Sequence, residues 1–183
     1  MRIDRSWAMP NKWTFTILPI KELLREEGVY DGIWLDPFAG KNSPATITND
    51  INPDMVADYH MDALTFLKQQ PSCSVDGVLF DPPYSVTQAK ECYDAFGSEK
   101  LEINVANSKY WSLCKYEVSR IVKVGGKIIS FGWNSNGIGK CRGCTIDRIL
   151  LVAHGSIKND TIVTVEHKTA ELTSVDMFDE DEK

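Results

Sequence analysis

The chain contains no apolar run that approaches the roughly 20 residues of a membrane-spanning helix. Its first residues, MRIDRSWAMPNKW, also lack the apolar stretch of a signal peptide. The five cysteines are odd in number and scattered, which favours reduced thiols over a disulfide framework. These absences predict a cytoplasmic protein that does not associate with membranes.

Basic residues are in the minority, with 20 lysines and arginines against 26 aspartates and glutamates. The formal net charge is −6, of which residues 173–183 carry −4. We therefore expect one domain over residues 1–172 and a disordered acidic tail over 173–183. A nearly neutral body exerts no global attraction on a polyanion, so nucleic-acid contact would need a local basic surface.

Metal-ligand spacings are also scarce. Cys141-Arg-Gly-Cys144 has the spacing of half a zinc knuckle, but no second CxxC or HxxxH supplies the remaining ligands. We therefore expect no metal. The loop 132–140 is not a phosphate loop, because Asn134 occupies the position of the first glycine that such a loop requires.

Apolar segments of strand and helix length alternate along the chain. Strands are predicted at 32–35, 45–48, 75–80 and 127–131, and helices at 19–28, 63–67 and from Ser108 to the glycines 125–126. The last part is β-rich at 146–153 and 161–165 and predicts an antiparallel hairpin. The pattern indicates an α/β fold, a Rossmann-like and mostly parallel sheet with an antiparallel C-terminal hairpin at its edge.

Four aspartates, Asp36, Asp50, Asp62 and Asp81, end these predicted strands or lie just past them. Ligands of a parallel sheet bind beyond the carboxyl ends of its strands. A single aspartate there would be an ordinary turn former. Four in succession indicate a binding site.

The ordered pair Asp36-Pro-Phe-Ala-Gly40 and Asp81-Pro-Pro-Tyr84 resembles the S-adenosylmethionine-dependent amino-methyltransferases of DNA. The similarity is chiefly to the N6-adenine enzymes, in a small single-domain form, and covers about residues 13–167. The resemblance implies the class I methyltransferase fold. It also implies transfer of a methyl group from S-adenosylmethionine to the exocyclic N6 amine of adenine in DNA.

The resemblance further implies a cofactor site built from three parts of the chain. The loop after the first strand would lie against the methionine moiety, Asp50 would accept the ribose hydroxyls, and Asp62 the adenine amino group. The segment 15–20 resembles the element that opens the catalytic domain beside the cofactor. The alternative from the residues alone is that Asp62 is only a helix cap, Asp50 only a turn former and Phe15 a core residue. The implied cofactor-binding residues are Phe15, Thr16, Asp36, Pro37, Phe38, Gly40, Asp50 and Asp62.

The implied catalytic residues are Asp81, Pro82, Pro83 and Tyr84. An adenine amine is a poor nucleophile because its lone pair is delocalised into the ring. Hydrogen bonds from the amine to the Asp81 carboxylate and the Pro82 carbonyl would favour a pyramidal nitrogen. The two prolines stiffen the turn, and Tyr84 offers a stacking face for an extruded base.

Several acceptors stay open within this chemistry. The runner-up is an RNA guanine-N2 methyltransferase, since small rRNA enzymes also carry a DPPY-like turn. N4-cytosine is third, and glutamine methylation of a protein usually goes with asparagine at the position of Asp81. A different class of hypothesis is a non-catalytic binding module that keeps the fold.

The recognised nucleotide sequence is expected to be short, or its recognition to be supplied by a protein partner, because residues 85–107 are too few for a recognition domain. Phosphate contacts would fall to Lys140, Arg142 and Arg148.

One departure from the family pattern concerns the connection after Gly40. Only nine residues separate Gly40 from Asp50, whereas a parallel crossover normally takes a dozen or more residues with a helix. Either the crossover helix is absent, or residues 46–48 are not the second strand.

Overall fold

A computed structural model of the chain describes residues 1–85, 87–88, 92, 108–155 and 159–172. The predicted acidic tail at 173–183 and most of the segment 85–107 lie outside the described residues. The strands are β1 (Arg2–Trp7), β2 (Trp34–Asp36), β3 (Ile47–Thr48), β4 (Val75–Phe80), β5 (Val122–Gly132), β6 (Cys144–Ala153) and β7 (Thr161–Lys168). The helices are α1 (Leu18–Glu26), α2 (Ala63–Gln69) and α3 (Ser108–Ile121).

The seven described strands form one sheet in the order β1-β6-β7-β5-β4-β2-β3. Strand β7 is antiparallel to its neighbours β5 and β6, and the other pairings of the described strands are parallel. The predicted mostly parallel sheet with an antiparallel C-terminal hairpin is confirmed. The hairpin is not at the edge as expected, because β1 pairs with β6 outside it.

Strand β1 was not predicted from the sequence. Its six residues, RIDRSW, are mostly polar, and its apolar side chains Ile3 and Trp7 are exposed. An edge strand with a solvent-facing apolar side carries little of the burial pattern from which strands are predicted.

Helices cover both faces of the sheet. Helix α1 begins at a proline-containing turn, ends before Gly28 in the left-handed region (φ 76°), and buries Ile20, Leu23 and Leu24. Its apolar side packs on Leu79 and other residues of one face. Helices α2 and α3 pack on the opposite face. Each such fully buried side chain contributes about 1.5–3 kcal/mol.

The short connection from β2 to β3 contains no helix. The two strands pair in parallel, with Leu35 opposite Ile47. The strand predicted within residues 46–48 is therefore present as β3, and the crossover helix is absent. The hydroxyl of Thr46 accepts a hydrogen bond from Trp34 N and donates one to Trp34 O, at 2.7 and 2.9 Å. The Thr46 side chain thus extends the pairing of β3 with β2 by one residue. The carboxyl end of β2 is followed by a loop and not by the start of a helix.

The glycines 125–126, expected to end α3, instead lie inside β5. The helix ends at Ile121, and Val122 already pairs with Val75 of β4. A Cβ atom at Gly126 would lie 2.7 Å from the carbonyl oxygen of Asp76, so close strand packing requires glycine there.

Candidate functional site

Two adjoining cavities lie at the carboxyl ends of the parallel strands. The first has a volume of ≈ 370 Å³ and is bordered by the loop after β2, the segment after β3, the start of α2 and the turn after β4. The second has a volume of ≈ 260 Å³ and lies between that turn, α3 and the end of β5. Pro82, Pro83 and Tyr84 line both cavities. The turn after β4 therefore separates the two cavities.

Asp36 organises the loop after β2. Its carboxylate accepts hydrogen bonds from Phe38 N at 2.9 Å and from Ser43 Oγ at 2.6 Å, and the residue is fully buried. Burial raises the pKa of Asp36 to about 7, and the nearby Asp81 and Asp50 charges act in the same direction. Asp36 is not on the wall of the first cavity, whereas Pro37 and Phe38 are. Its part in the site is to hold the loop that carries them.

Asp50 joins the two loops that border the first cavity. Its Oδ2 accepts from Gly40 N and its Oδ1 from Asn52 N, both at 2.8 Å. Gly40 is in the left-handed region (φ 56°), where glycine is favoured. Because an ionised carboxylate has about four acceptor positions, Asp50 can accept further hydrogen bonds from a ligand in the cavity that it lines.

Asp62 caps α2. One carboxylate oxygen accepts from Thr65 N at 2.9 Å, and the other accepts from the hydroxyl of Tyr110. The helix-cap role is therefore present, and the side chain does not line the first cavity, although its neighbours Met61 and Ala63 do.

Asn49 holds the same region together and was missed by the sequence analysis. It is fully buried, and its amide nitrogen donates to the carbonyl oxygens of Pro37 and Met61, each at 3.1 Å. The only signal for it was its position at the end of β3, beside the more conspicuous Asp50.

The segment before α1 contributes a different residue from those expected. A short 3-10 helix over Thr14–Thr16 places Thr14 on the wall of the first cavity. Phe15 packs edge-to-face on Phe131 in the core, with ring centroids 5.5 Å apart. Thr16 is exposed, and its hydroxyl donates to Trp13 O at 2.8 Å. Neither Phe15 nor Thr16 lines the cavity.

The turn after β4 holds a carboxylate between two hydroxyl groups. The Tyr84 hydroxyl donates to Asp81 Oδ1 at 2.6 Å, and the Thr14 hydroxyl is also hydrogen-bonded to Asp81. Burial raises the pKa of Asp81 to about 6, against the lowering effect of these two hydrogen bonds. Burial and the Asp81 charge also raise the pKa of Tyr84. With a pKa of about 6, the Asp81 carboxyl group is mostly ionised at neutral pH and can accept further hydrogen bonds.

The second cavity has aromatic walls. Tyr84 and Trp133 are edge-to-face, with ring centroids 5.8 Å apart, and Trp111 of α3 lies on another side. Phe38 on the wall of the first cavity contacts Trp111, at 6.1 Å between centroids. Aromatic contacts therefore continue from one cavity to the other.

The three predicted phosphate-binding residues are not brought together at the cavities. Arg148 forms ion pairs with Asp4 and Glu26 at 2.7 Å and with Glu27 at 3.3 Å. Lys140 and Arg142 lie in a 3-10 helix before β6, at the amino ends of the parallel strands. None of the three lines either cavity.

Neither a metal-binding cluster nor a membrane-crossing helix is found within the described residues. No group of three or more histidines, cysteines, aspartates or glutamates there is arranged to hold a metal ion. No helix there has the length and apolarity to cross a membrane. Of the CxxC pair, Cys144 is buried and Cys141 is exposed.

The sequence matches no protein-family model and no curated protein, but the structure is similar to solved methyltransferases. TrmN from Thermus thermophilus has a TM-score of 0.54 and 14% identity over 83% of this chain, which spans about half of TrmN (49%). The 1,6-didemethyltoxoflavin-N1-methyltransferase from Burkholderia thailandensis has a TM-score of 0.58 and 10% identity, covering 83% of this chain and 77% of that one.

The N-methyltransferase NodS from Bradyrhizobium japonicum has a TM-score of 0.50 and 9% identity, with coverages of 81% and 94%. At these identities the likeness concerns the fold. The seven-stranded sheet with β7 inserted antiparallel between β5 and β6 is the class I methyltransferase fold.

Proposed function

We propose that the protein transfers a methyl group from S-adenosylmethionine to the exocyclic N6 amine of adenine in DNA. The observation that carries this proposal is the turn Asp81–Tyr84, which separates two cavities and places the Asp81 carboxylate on the wall of the first. A group-transfer enzyme needs such a place, where donor and acceptor meet in a fixed alignment.

The first cavity fits the methyl donor. Its volume of ≈ 370 Å³ is within the roughly 300–1,000 Å³ of small-molecule sites. Asp50 has acceptor positions for ribose hydroxyls, and Phe38 and Ile51 give an apolar surface. The Burkholderia structure holds S-adenosylhomocysteine, which supports the same use of this fold. When bound, S-adenosylmethionine supplies a methyl group already activated on a sulfonium sulfur.

The turn after β4 then acts on the acceptor amine. Asp81 and the Pro82 carbonyl oxygen accept hydrogen bonds from the amine hydrogens, which favours a pyramidal nitrogen with an available lone pair. Thr14 and Tyr84 hold the Asp81 carboxylate in one orientation. The methylated nitrogen is transiently cationic and strongly acidic, so it passes its proton to Asp81. Fixed acceptors of this kind stabilise charge that develops in the transition state.

Nucleic-acid binding is expected to be weak, because few cations among the described residues border the cavities, and to weaken further as salt rises. Lys12 lines the first cavity and Lys115 the second. Arg148, neutralised by three carboxylates, is left out of the proposed surface. A base inside a duplex cannot reach this turn, so the enzyme must extrude it or take it from a single strand.

Labelled S-adenosylmethionine, incubated with a panel of DNA and RNA and followed by nucleoside analysis, tests the proposal. We expect N6-methyladenine from DNA, in amounts that fall as salt rises. Finding N2-methylguanine in RNA instead would change the proposed acceptor to guanine in RNA and leave the proposed role of Asp81 unchanged. A folded protein that binds no S-adenosylmethionine would be a non-catalytic module, and the proposal would be wrong.

A further inference from the structure

The connection from β5 to β6 crosses the sheet without an α-helix. Both strands are antiparallel to β7, which lies between them, so this crossover segment (residues 133–143) runs back over β7 to the start of β6. A crossover between strands of the same direction usually contains an α-helix, whereas this one contains only the three-residue 3-10 helix Lys140–Arg142. Backbone groups outside that short helix need hydrogen-bond partners from other parts of the chain.

Glu166 of β7 supplies such partners from the sheet. Its side chain is fully buried, and its carboxylate accepts hydrogen bonds from Ile138 N at 2.6 Å and from Gly139 N at 3.0 Å. A Cβ atom at Gly137 would lie 2.3 Å from Glu166 Oε2, so the crossover segment packs directly on the carboxylate. Burial raises the pKa of Glu166, and a buried carboxylate is costly unless hydrogen bonds satisfy it. The carboxylate therefore anchors the crossover segment to the sheet.

The anchored segment forms one wall of the second cavity. Gly137, Trp133 and Asn134 all line that cavity. The ring of Trp133 contacts that of Tyr84 edge-to-face, so the segment also touches the turn after β4. The side chain of Glu166 does not line the cavity. Its carboxylate thus lies behind the wall and can fix the position of the wall without touching a ligand.

We infer that Glu166 is a positioning residue for the methyl acceptor, because its carboxylate fixes the crossover segment and thereby the place of Trp133 beside the turn after β4. This inference rests on the proposed function, in which the acceptor amine is methylated at that turn. A displacement of about 1 Å in a group that positions a reactant can cost about 100-fold in rate. Glu166 does not border the first cavity, so it should affect the acceptor and not S-adenosylmethionine.

The test compares Glu166→Gln with Thr164→Val in methyl transfer to a short adenine-containing DNA strand. Glutamine has the shape of glutamate but only one acceptor oxygen, so one of the two backbone N–H groups loses its partner. Thr164 is the matched control, because it is buried two residues earlier on the same face of β7 and lines neither cavity. We expect Glu166→Gln to raise the acceptor KM about tenfold, the value of one hydrogen bond, with the S-adenosylhomocysteine affinity unchanged. Thr164→Val should behave as the wild type.

A merely structural role of Glu166 would give a different pattern. Partial unfolding lowers the apparent kcat and the number of S-adenosylhomocysteine sites together and leaves the acceptor KM unchanged. That pattern in Glu166→Gln, or wild-type kinetics, would overturn the inference. If Glu166→Gln does not fold, Gly137→Ala tests the same contact, because its Cβ atom forces the crossover segment away from the carboxylate. The same rise in the acceptor KM is then expected, and an unchanged KM would overturn the inference.

Failure of the proposed function would be visible separately. If the wild type transfers no methyl group, the contact is still tested by acrylamide quenching of Trp133 fluorescence. The Trp133 signal is the difference between each protein and the same protein carrying Trp133→Phe. We expect a larger quenching constant for Trp133 in Glu166→Gln and an unchanged one in Thr164→Val. Equal quenching constants in Glu166→Gln and the wild type would show that Glu166 does not position this wall.

Discussion

The two cavities differ in what forms their walls. Around the first, Asp36 and Asp50 each accept hydrogen bonds from loop backbone, and Asn49 connects the loops to one another. Around the second, Tyr84, Trp111 and Trp133 provide aromatic surfaces. The first cavity is therefore held in shape by hydrogen bonds between its own loops, whereas the second offers flat apolar faces. In the proposed function, the first arrangement suits the methyl donor and the second suits a planar base.

The largest effect should come from the turn between the cavities. Asp81→Ala removes the acceptor for the amine hydrogens, and we expect turnover to fall by about 100-fold or more. Affinity for S-adenosylhomocysteine, measured by calorimetry, should be retained. Asp81→Asn keeps one acceptor oxygen and should lose less turnover. Normal turnover in Asp81→Ala would remove Asp81 from the mechanism.

The pH dependence of turnover should report the same carboxylate. Burial raises the pKa of Asp81 to about 6, and only its ionised form can take the proton from the methylated amine. We expect kcat to rise with pH below about 6, by about tenfold per unit, and to level above it. Asp36 titrates nearby, with a pKa of about 7. In Asp36→Asn the change of slope of kcat near pH 6 should persist. If it disappeared in that variant, it would belong to Asp36 instead of Asp81.

A smaller effect is expected at the first cavity. Asp50→Ala removes the proposed acceptor for the ribose hydroxyls and should weaken S-adenosylmethionine binding by about 1–3 kcal/mol. Asp54, in the same segment but exposed and not on the cavity wall, gives the matched control Asp54→Ala. Equal affinities in the two variants would place the donor elsewhere.

The smallest effect concerns Arg148. Its ion pairs with Asp4 and Glu26 join β6, β1 and α1, so Arg148→Ala should lower the free energy of unfolding by about 1 kcal/mol. DNA affinity and its salt dependence should not change, as measured by fluorescence anisotropy. A reduced salt slope would show that Arg148 contacts phosphate after all.

Much of the fold could be predicted because its core strands and helices have strong apolar periodicity. Strand β4 was predicted with its observed bounds, and Asp62 was recognised as a cap of α2. Strand β1 could not be predicted, because its apolar side chains stay exposed. The same omission hid one partner of Arg148, since Asp4 lies in β1.

The site could be predicted only where a motif fixes the backbone. The prolines of the turn after β4 do so, and that turn lies between the cavities. In the 3-10 helix before α1, the side chain that faces the first cavity depends on helix register, which the motif did not give. Thr14 therefore lines the cavity in place of Phe15 and Thr16.

The division between a donor cavity and an acceptor cavity is tested most directly by one calorimetric comparison. Asp50→Ala and Trp133→Ala would each be titrated with S-adenosylhomocysteine and with a short adenine-containing DNA strand. Asp50 lines only the first cavity and Trp133 only the second, so we expect Asp50→Ala to weaken only S-adenosylhomocysteine binding and Trp133→Ala to weaken only DNA binding. Equal losses for both ligands in either variant, or the reverse assignment, would contradict it.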